Sequence, residues 1–196
     1  MVVAMTIAAS ALSEFRAIGG ALCLDFVNTM DCYDSAIPVE QLDGSANLAT
    51  WAKLVDAGAV AADETDLRRA IELREAIRAS FRAVLDGTRV PSPAVAVLNR
   101  NLELASERRR LAVRDHRVAW SGESVTGVDA LLARIARSAA DLLTDPDRLG
   151  RVRVCAADGC GWLFVDDSRG ARRRWCSMQS CGNRAKARAH YRRKRA

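Results

Sequence analysis

The chain has 196 residues, of which 49% are hydrophobic, and a formal net charge of +6. This length accommodates one ordinary domain with a small module, or two small domains. No run of about 18 apolar residues is present, which excludes a transmembrane helix. Residues 151–196 contain 13 lysines and arginines against three aspartates, a net of +10, which leaves −4 for residues 1–150. This asymmetry predicts a negatively charged partner, most commonly nucleic acid, with acidic proteins and anionic membrane surfaces as alternatives.

Residues 1–12 are apolar and rich in small side chains, but they lack the basic n-region of a secretory signal peptide. Polar Ser13 and Glu14 follow them directly. The sequence therefore predicts a cytoplasmic protein. Thiols stay reduced in that compartment, so clustered cysteines are expected to be metal ligands rather than disulfides.

The first 150 residues predict a mostly helical N-terminal domain with a small β-hairpin. Leu22, Phe26 and Met30 recur every fourth residue, which fits a short buried helix, although the dense apolar run also fits a strand. Residues 31–45 are polar and predict an irregular loop. The remaining predicted elements are helices at 46–57, from Asp63 or Thr65 to about 86, from Ser92 to about 105 and at 128–143, and a hairpin at 111–113 and 117–120.

Four cysteines form two close pairs, Cys155 with Cys160 and Cys176 with Cys181, separated by fifteen residues. Two such pairs at this separation are the spacing of an all-cysteine zinc site. Four protein ligands leave no coordination position for substrate, so the sequence predicts one structural Zn²⁺. Two disulfides or four free core thiols are the alternatives, and the reducing compartment disfavours the first.

The finger sequence predicts strands at 151–155, 161–165 and 171–175, with a turn at 166–170 and a helix after Cys181. Knuckle, hairpin and helix in this order describe a treble-clef-like finger. Its core is small, consisting of Trp162, Phe164 and Trp175, so metal binding is expected to supply most of its stability. The predicted fold class is therefore α+β, with a helical domain at residues 1–149 and a four-cysteine zinc finger at residues 150–196.

The C-terminal helix predicted at residues 182–195 contains seven lysines and arginines. At roughly 1.5 Å per residue it spans about 20 Å, enough to cross a DNA major groove. The arginine triplet before Cys176 either contacts phosphate or balances the charge of the zinc thiolates. The predicted nucleic-acid contacts are Arg172, Arg173, Arg174, Asn183, Arg184, Lys186, Arg188, Arg192, Arg193 and Arg195.

Polar Asp25, Asn28 and Thr29 interrupt an apolar segment, where unpaired polar groups are costly. They either bind a small ligand or form hydrogen bonds within the fold. The sequence contains two histidines and no glycine-rich phosphate loop, nucleophile elbow or second set of metal ligands. It therefore predicts a binding protein rather than an enzyme.

The finger resembles the CGNR zinc-finger family, whose signature stands at Cys181-Gly182-Asn183-Arg184. Proteins of this kind pair the finger with an N-terminal ABATE domain, and residues 22–29 followed by Leu48 and Trp51 look like its hallmark. The resemblance covers nearly the whole chain. It implies a bacterial stress-responsive transcription regulator whose finger binds DNA and whose ABATE domain senses a ligand. The implied ligand contacts are Asp25, Asn28, Thr29 and Trp51.

The leading hypothesis is a one-component transcription regulator that responds to a small-molecule effector, forms no contact with a membrane, and is compatible with a homodimer. One alternative is an RNA- or ribosome-binding zinc protein that uses the same basic helix on shape and phosphate. Another is a protein-interaction module in which this helix binds an acidic partner.

Overall fold

The computed structural model describes residues 15–104, 110–121 and 125–195. The apolar start of the chain, for which no signal peptide is predicted, lies outside these residues. Among the described residues, no helix combines the length and the hydrophobicity that a bilayer span requires.

The predicted combination of helices with small hairpins is confirmed. The helices are α1 (Leu22–Val27), α2 (Ser45–Leu54), α3 (Glu64–Leu85), α4 (Ser92–Leu104), α5 (Gly127–Leu143), α6 (Pro146–Leu149), a π-helical turn (Met178–Gly182) and α7 (Asn183–Arg195). The strands pair antiparallel as β1 (Met30–Asp31) with β2 (Val39–Glu40), β3 (Arg110–Arg114) with β4 (Arg117–Ser121), and β5 (Val152–Val154) with β6 (Leu163–Val165).

The segment that fitted a helix or a strand forms α1, which buries Cys23, Leu24, Phe26 and Val27. The irregular loop predicted after it instead contains the β1–β2 pair, with Met30 opposite Glu40. Each of these strands has only two residues. A strand this short has no room for the apolar alternation by which strands are recognised in sequence.

The main core lies between α1, α3, α4 and α5, with α2 packed against α3. Asp63 caps α3 as predicted, because its carboxylate accepts the backbone N–H groups of Thr65 and Asp66. Leu54, the last residue of α2, is 47% exposed. After α5, Asp145 caps the short helix α6, which begins at Pro146.

The β5–β6 hairpin belongs to two cores at once. Val152, Leu163 and Val165 pack into the main core, whereas Trp162 and Phe164 pack around the cysteines of the finger. Successive side chains of a strand point to opposite faces, so β6 is buried on both sides. The finger and the helical part therefore share β6, whose side chains contribute to both cores.

The strand predicted at residues 171–175 is wrong. The partner of β6 is β5, with Arg153 opposite Phe164. The chain beyond β6 instead wraps around the buried carboxylate of Asp166, which accepts the backbone N–H groups of Ser168 and Arg173. The first cysteine pair consequently lies at the turn of the β5–β6 hairpin rather than before a separate hairpin.

Candidate zinc centre and nucleic-acid interface

The four cysteine sulfur atoms converge at one point. The Sγ atom of Cys160 lies 3.9 Å from that of Cys176 and 3.6 Å from that of Cys181, and all four ligand atoms lie within 4.8 Å of one another. A tetrahedral zinc ion with Zn–S bonds of about 2.3 Å places its sulfur atoms about 3.8 Å apart. A disulfide requires about 2.0 Å. The spacing fits a zinc ion and excludes disulfides between these sulfur atoms.

Two turns present these sulfur atoms. Cys155 and Cys160 are the first and last residues of the knuckle, residues 155–160, which lies between β5 and β6. Cys176 and Cys181 flank the start of the π-helical turn that leads into α7, where the Ser177 hydroxyl accepts the N–H of Ser180. The backbone N–H of Cys176 donates to the Sγ of Cys155 at 3.3 Å, which ties the two turns together.

Hydrogen bonds between the sulfur atoms shift the pKa values of these thiols in opposite directions. The pKa of Cys155 is lowered because its sulfur accepts hydrogen bonds from Cys160 and Cys176. The pKa of Cys160 is raised well above its usual value, since this thiol donates to Cys155 and Cys176. A divalent metal binds such sulfur atoms as thiolates and displaces their protons. All four cysteines are at most 5% exposed, so the centre is a closed, structural site.

The guanidinium that reaches the sulfur atoms is that of Arg184, not one from the arginine triplet. Its Nη2 donates to the Sγ of Cys181 at 3.0 Å, and this bond raises the pKa of Arg184. Arg173 instead donates to the backbone carbonyls of Trp175 and Cys176 and lies 4.4 Å from the centre of the Phe164 ring. Arg184, in the first turn of α7, therefore partly balances the negative charge of the zinc thiolates.

One side of α7 faces the knuckle. Arg184, Arg188 and Arg192 lie one turn apart and line a groove of about 270 Å³ with residues 156–158. Arg188 forms an ion pair with Asp158 at 2.9 Å, but both side chains are more than half exposed. Such a pair contributes at most about 1 kcal/mol. Steps of about 100° per residue place Lys186, His190, Arg193 and Lys194 on the opposite side, which we call the outer side of α7.

The predicted nucleic-acid contacts fall into two groups. Arg173, Asn183 and Arg184 are held by hydrogen bonds inside the finger, Asn183 through the carbonyl of Gln179. Most of the others form no ion pair within the described part of the chain. These are Arg172, Arg174, Lys186, Arg192, Arg193 and Arg195, joined by Lys194, which was not among the predicted contacts.

Comparison with known families finds two family models, which match consecutive parts of the chain. The model for ABATE, described as "Putative stress-induced transcription regulator", matches residues 20–146. The chain belongs to the ABATE family. The model for the CGNR zinc finger matches residues 151–194, and both families are of regulator and zinc-finger type rather than enzymatic. Comparison with curated proteins gave no significant match.

In this ABATE protein, the side chains of Asn28 and Thr29 form hydrogen bonds within the fold. The amide of Asn28 exchanges two hydrogen bonds with the backbone of Leu163 in β6, at 2.9 and 3.0 Å. The hydroxyl of Thr29 donates to the carbonyl of Phe26 at 2.7 Å. Trp51 lies against the Phe26 ring, with the ring centres 4.8 Å apart, and is 1% exposed. These contacts join α1 to β6 and to α2, and they use both amide atoms of Asn28.

Asp25 is the charged residue of α1, and its carboxylate is partly buried. Its Oδ1 accepts the backbone N–H of Gly19 at 2.7 Å. Burial raises its pKa from 3.8 to about 6, against the lowering effect of this hydrogen bond. The folded protein therefore binds more protons than the unfolded chain between these two pH values. Stability falls as the pH rises through this window, and the ionised carboxylate at neutral pH is destabilising.

We expect Asp25→Asn to be more stable than the parent by about 1–2 kcal/mol at about pH 7.5, because the amide keeps an acceptor without the buried charge. At about pH 4 the two proteins are expected to be equally stable. Urea denaturation at both pH values measures this difference. Asp141→Asn, at an exposed position of α5, is the control and should change little at either pH. Lower stability of Asp25→Asn at neutral pH would contradict the prediction.

A charged cluster outside the predicted site residues connects α3 with β2. Arg74 is 1% exposed, and its guanidinium donates to both carboxylate oxygens of Glu40 at 2.6 Å and to Glu75 at 3.0 Å. The signal was present, since Arg74 stands on the apolar stripe of α3 between Ala70 and Ile77. A charged residue there requires a partner inside the fold.

The same face of α3 holds the zinc knuckle. Arg78 donates to the carbonyl of Gly161 at 2.9 Å and lies 3.5 Å from the centre of the Tyr33 ring. The backbone N–H of Tyr33 donates to the carbonyl of Cys160 at 3.1 Å. A side chain at position 161 is excluded, because its Cβ would lie 2.7 Å from the Cγ of Asp34 and the backbone φ is +67°. The CGNR finger is thus fastened to the ABATE domain next to a zinc ligand.

Proposed function

We propose that this protein is a transcription regulator that binds DNA through α7, held in place by the zinc centre. In this proposal residues 1–149 respond to an effector and residues 150–196 bind DNA. The observation that carries this proposal is the exposure of the positively charged side chains on α7. The helix buries none of its residues, and five of its seven lysines and arginines form neither an ion pair nor a side-chain hydrogen bond within the described residues.

The chemistry of these charges suits a phosphate backbone. Exposed arginines and lysines bind phosphates and release the counterions condensed on DNA, which makes binding depend steeply on salt. Arg188 can join them, since its exposed pair with Asp158 exchanges at small cost. Arg173 and Arg184 are proposed to support the finger rather than to contact DNA, because Arg173 is bonded to carbonyl groups of the finger and Arg184 is bonded to a zinc ligand.

The test is a triple variant that removes three cations of α7, Lys186→Ala, Arg192→Ala and Arg193→Ala. Alanine is the best helix former, so α7 is expected to persist. Binding to labelled duplex DNA, followed by fluorescence anisotropy across a salt series, is expected to lose a slope of about 0.9 for each phosphate contact removed.

The matched control removes one lysine and two arginines from exposed positions of the ABATE domain, Lys53→Ala, Arg89→Ala and Arg137→Ala. Its salt slope should equal that of the parent. Equal slopes for the α7 variant and the parent would exclude α7 as the DNA-binding element.

One observation favours single-stranded RNA as the second candidate. Tyr191 is 67% exposed on this basic helix, beside the ring of His190. Exposed aromatic rings between positive charges stack on unpaired bases. Competition between duplex DNA and single-stranded RNA distinguishes the candidates. If RNA is the partner, Tyr191→Ala should weaken RNA binding and leave binding of duplex DNA unchanged.

A further inference from the structure

A cavity of about 390 Å³, with a lining that is more apolar than polar, lies between the β1–β2 hairpin and the finger, beside the zinc centre, and we call it the junction cavity. Its volume falls within the range of about 300–1,000 Å³ typical of small-molecule sites. The ABATE domain contributes Asp31, Val39 and Gln41 to its wall, and Arg16 stands in the segment just before the matched domain. The finger contributes Trp162, Ser180, Arg184 and three of the zinc ligands, Cys160, Cys176 and Cys181. None of the predicted ligand residues, Asp25, Asn28, Thr29 and Trp51, is part of this wall.

Several polar groups of the wall lack protein partners. Among the described residues, the side chains of Arg16, Gln41 and Ser180 form no hydrogen bond. Arg184 has one side-chain hydrogen bond there, to Cys181, and among the same residues the Asp31 carboxylate is hydrogen-bonded only to the neighbouring Cys32. A few convergent polar groups in a concave and mostly apolar site are typical of ligand pockets. Trp162 adds an aromatic wall whose indole N–H is fixed on the carbonyl of Met30 at 3.1 Å.

The charges of the wall narrow the class of ligand. Two guanidinium groups, an amide and a hydroxyl offer hydrogen-bond donors for an oxyanion. Asp31 and the zinc thiolates, only partly offset by Arg184, disfavour a polyanion and favour a ligand that also carries a donor. We propose that the junction cavity binds a small molecule with one carboxylate or phosphate group and at least one hydroxyl or amine.

Such a ligand would act directly on α7. Arg184 stands in the first turn of α7, and Ser180 stands in the π-helical turn before it. An oxyanion bound between Arg16 and Arg184 therefore joins the N-terminal part of the chain to the base of α7. Regulation of nucleic-acid binding by this ligand rests on the function proposed above, whereas binding of the ligand itself does not.

Calorimetric titration of the zinc-loaded full chain, without nucleic acid, tests the site. The probes are glycerate and glycerol 3-phosphate, and acetate and glycerol are the controls that lack either the donor or the anion. At least one probe is expected to bind, and both controls should bind more weakly. Arg16→Ala should weaken probe binding at least about tenfold, as expected for the loss of a charged hydrogen bond. Arg169→Ala, which removes the same charge from an exposed turn outside the cavity, should leave probe binding unchanged.

Three results would overturn the proposal. The first is the absence of saturable binding of either probe up to about 10 mM. The second is equal weakening by Arg16→Ala and Arg169→Ala, which would indicate a general charge effect. The third is stoichiometric displacement of the probe by duplex DNA together with weaker DNA binding by Arg16→Ala, which would assign the cavity to a backbone phosphate. Because the titration contains no DNA, failure of the DNA-binding proposal leaves its result intact.

Discussion

Removal of zinc with a chelator is expected to unfold the finger while the helical core stays folded. The buried cluster of the finger consists of the four cysteines with Ala157, Trp162 and Phe164, which is too small to be stable alone. Structural zinc contributes about 10–16 kcal/mol of apparent binding free energy in such modules. Amide hydrogen exchange should show loss of protection at residues 155–160 and 173–183. Protection in α3 and α5 should persist, because these helices pack in the main core.

Cys181→Ser provides the same test without a chelator, and Cys32→Ser is its control. Cys181 is a member of the sulfur cluster, whereas Cys32 lies outside it. The Cys181 variant should bind zinc more weakly and lose protection in the finger, and the Cys32 variant should behave like the parent. Full protection of residues 173–183 after zinc removal would show that packing against the ABATE domain is sufficient for the finger.

Arg74→Met is expected to destabilise the protein by about 3 kcal/mol, as measured by urea denaturation. The substitution leaves Glu40 without its partner, and the side chain of Glu40 is only 29% exposed. It also frees the β1–β2 hairpin, which carries two residues of the junction cavity, from α3. This expected loss of stability lies at the lower end of the range for a buried ion pair that loses one partner, because Glu40 keeps some contact with water.

Arg100→Met is the matched control for this substitution. Arg100 pairs with Glu72 at 2.8 Å, but both side chains are more than half exposed. Its loss should cost at most about 1 kcal/mol. The double variant Arg74→Met with Glu40→Gln should recover part of the lost stability, because it removes the unpaired charge. Equal effects of Arg74→Met and Arg100→Met would show that burial adds nothing to the Arg74 pair.

The sequence by itself determined the features that depend on local order. The long helices follow from apolar residues at helical spacing and from caps such as Asp63. The β3–β4 hairpin follows from two short apolar runs around Asp115 and His116. The zinc ligands follow from the spacing of four cysteines, since each pair needs only one tight turn. Local geometry is encoded within a few residues, so it can be recognised without the rest of the chain.

Only the tertiary structure decided which distant segments meet. The pairing of β6 with β5 removed the strand predicted at residues 171–175, and Asp166 organised that segment as a loop. Tertiary packing also placed Arg184 rather than the arginine triplet on a thiolate, and it buried Arg74 against Glu40. The junction cavity exists because Asp31 and Ser180, far apart in the chain, come to face one space. These features depend on contacts between segments far apart in the chain, and such contacts leave no periodic signal in the sequence.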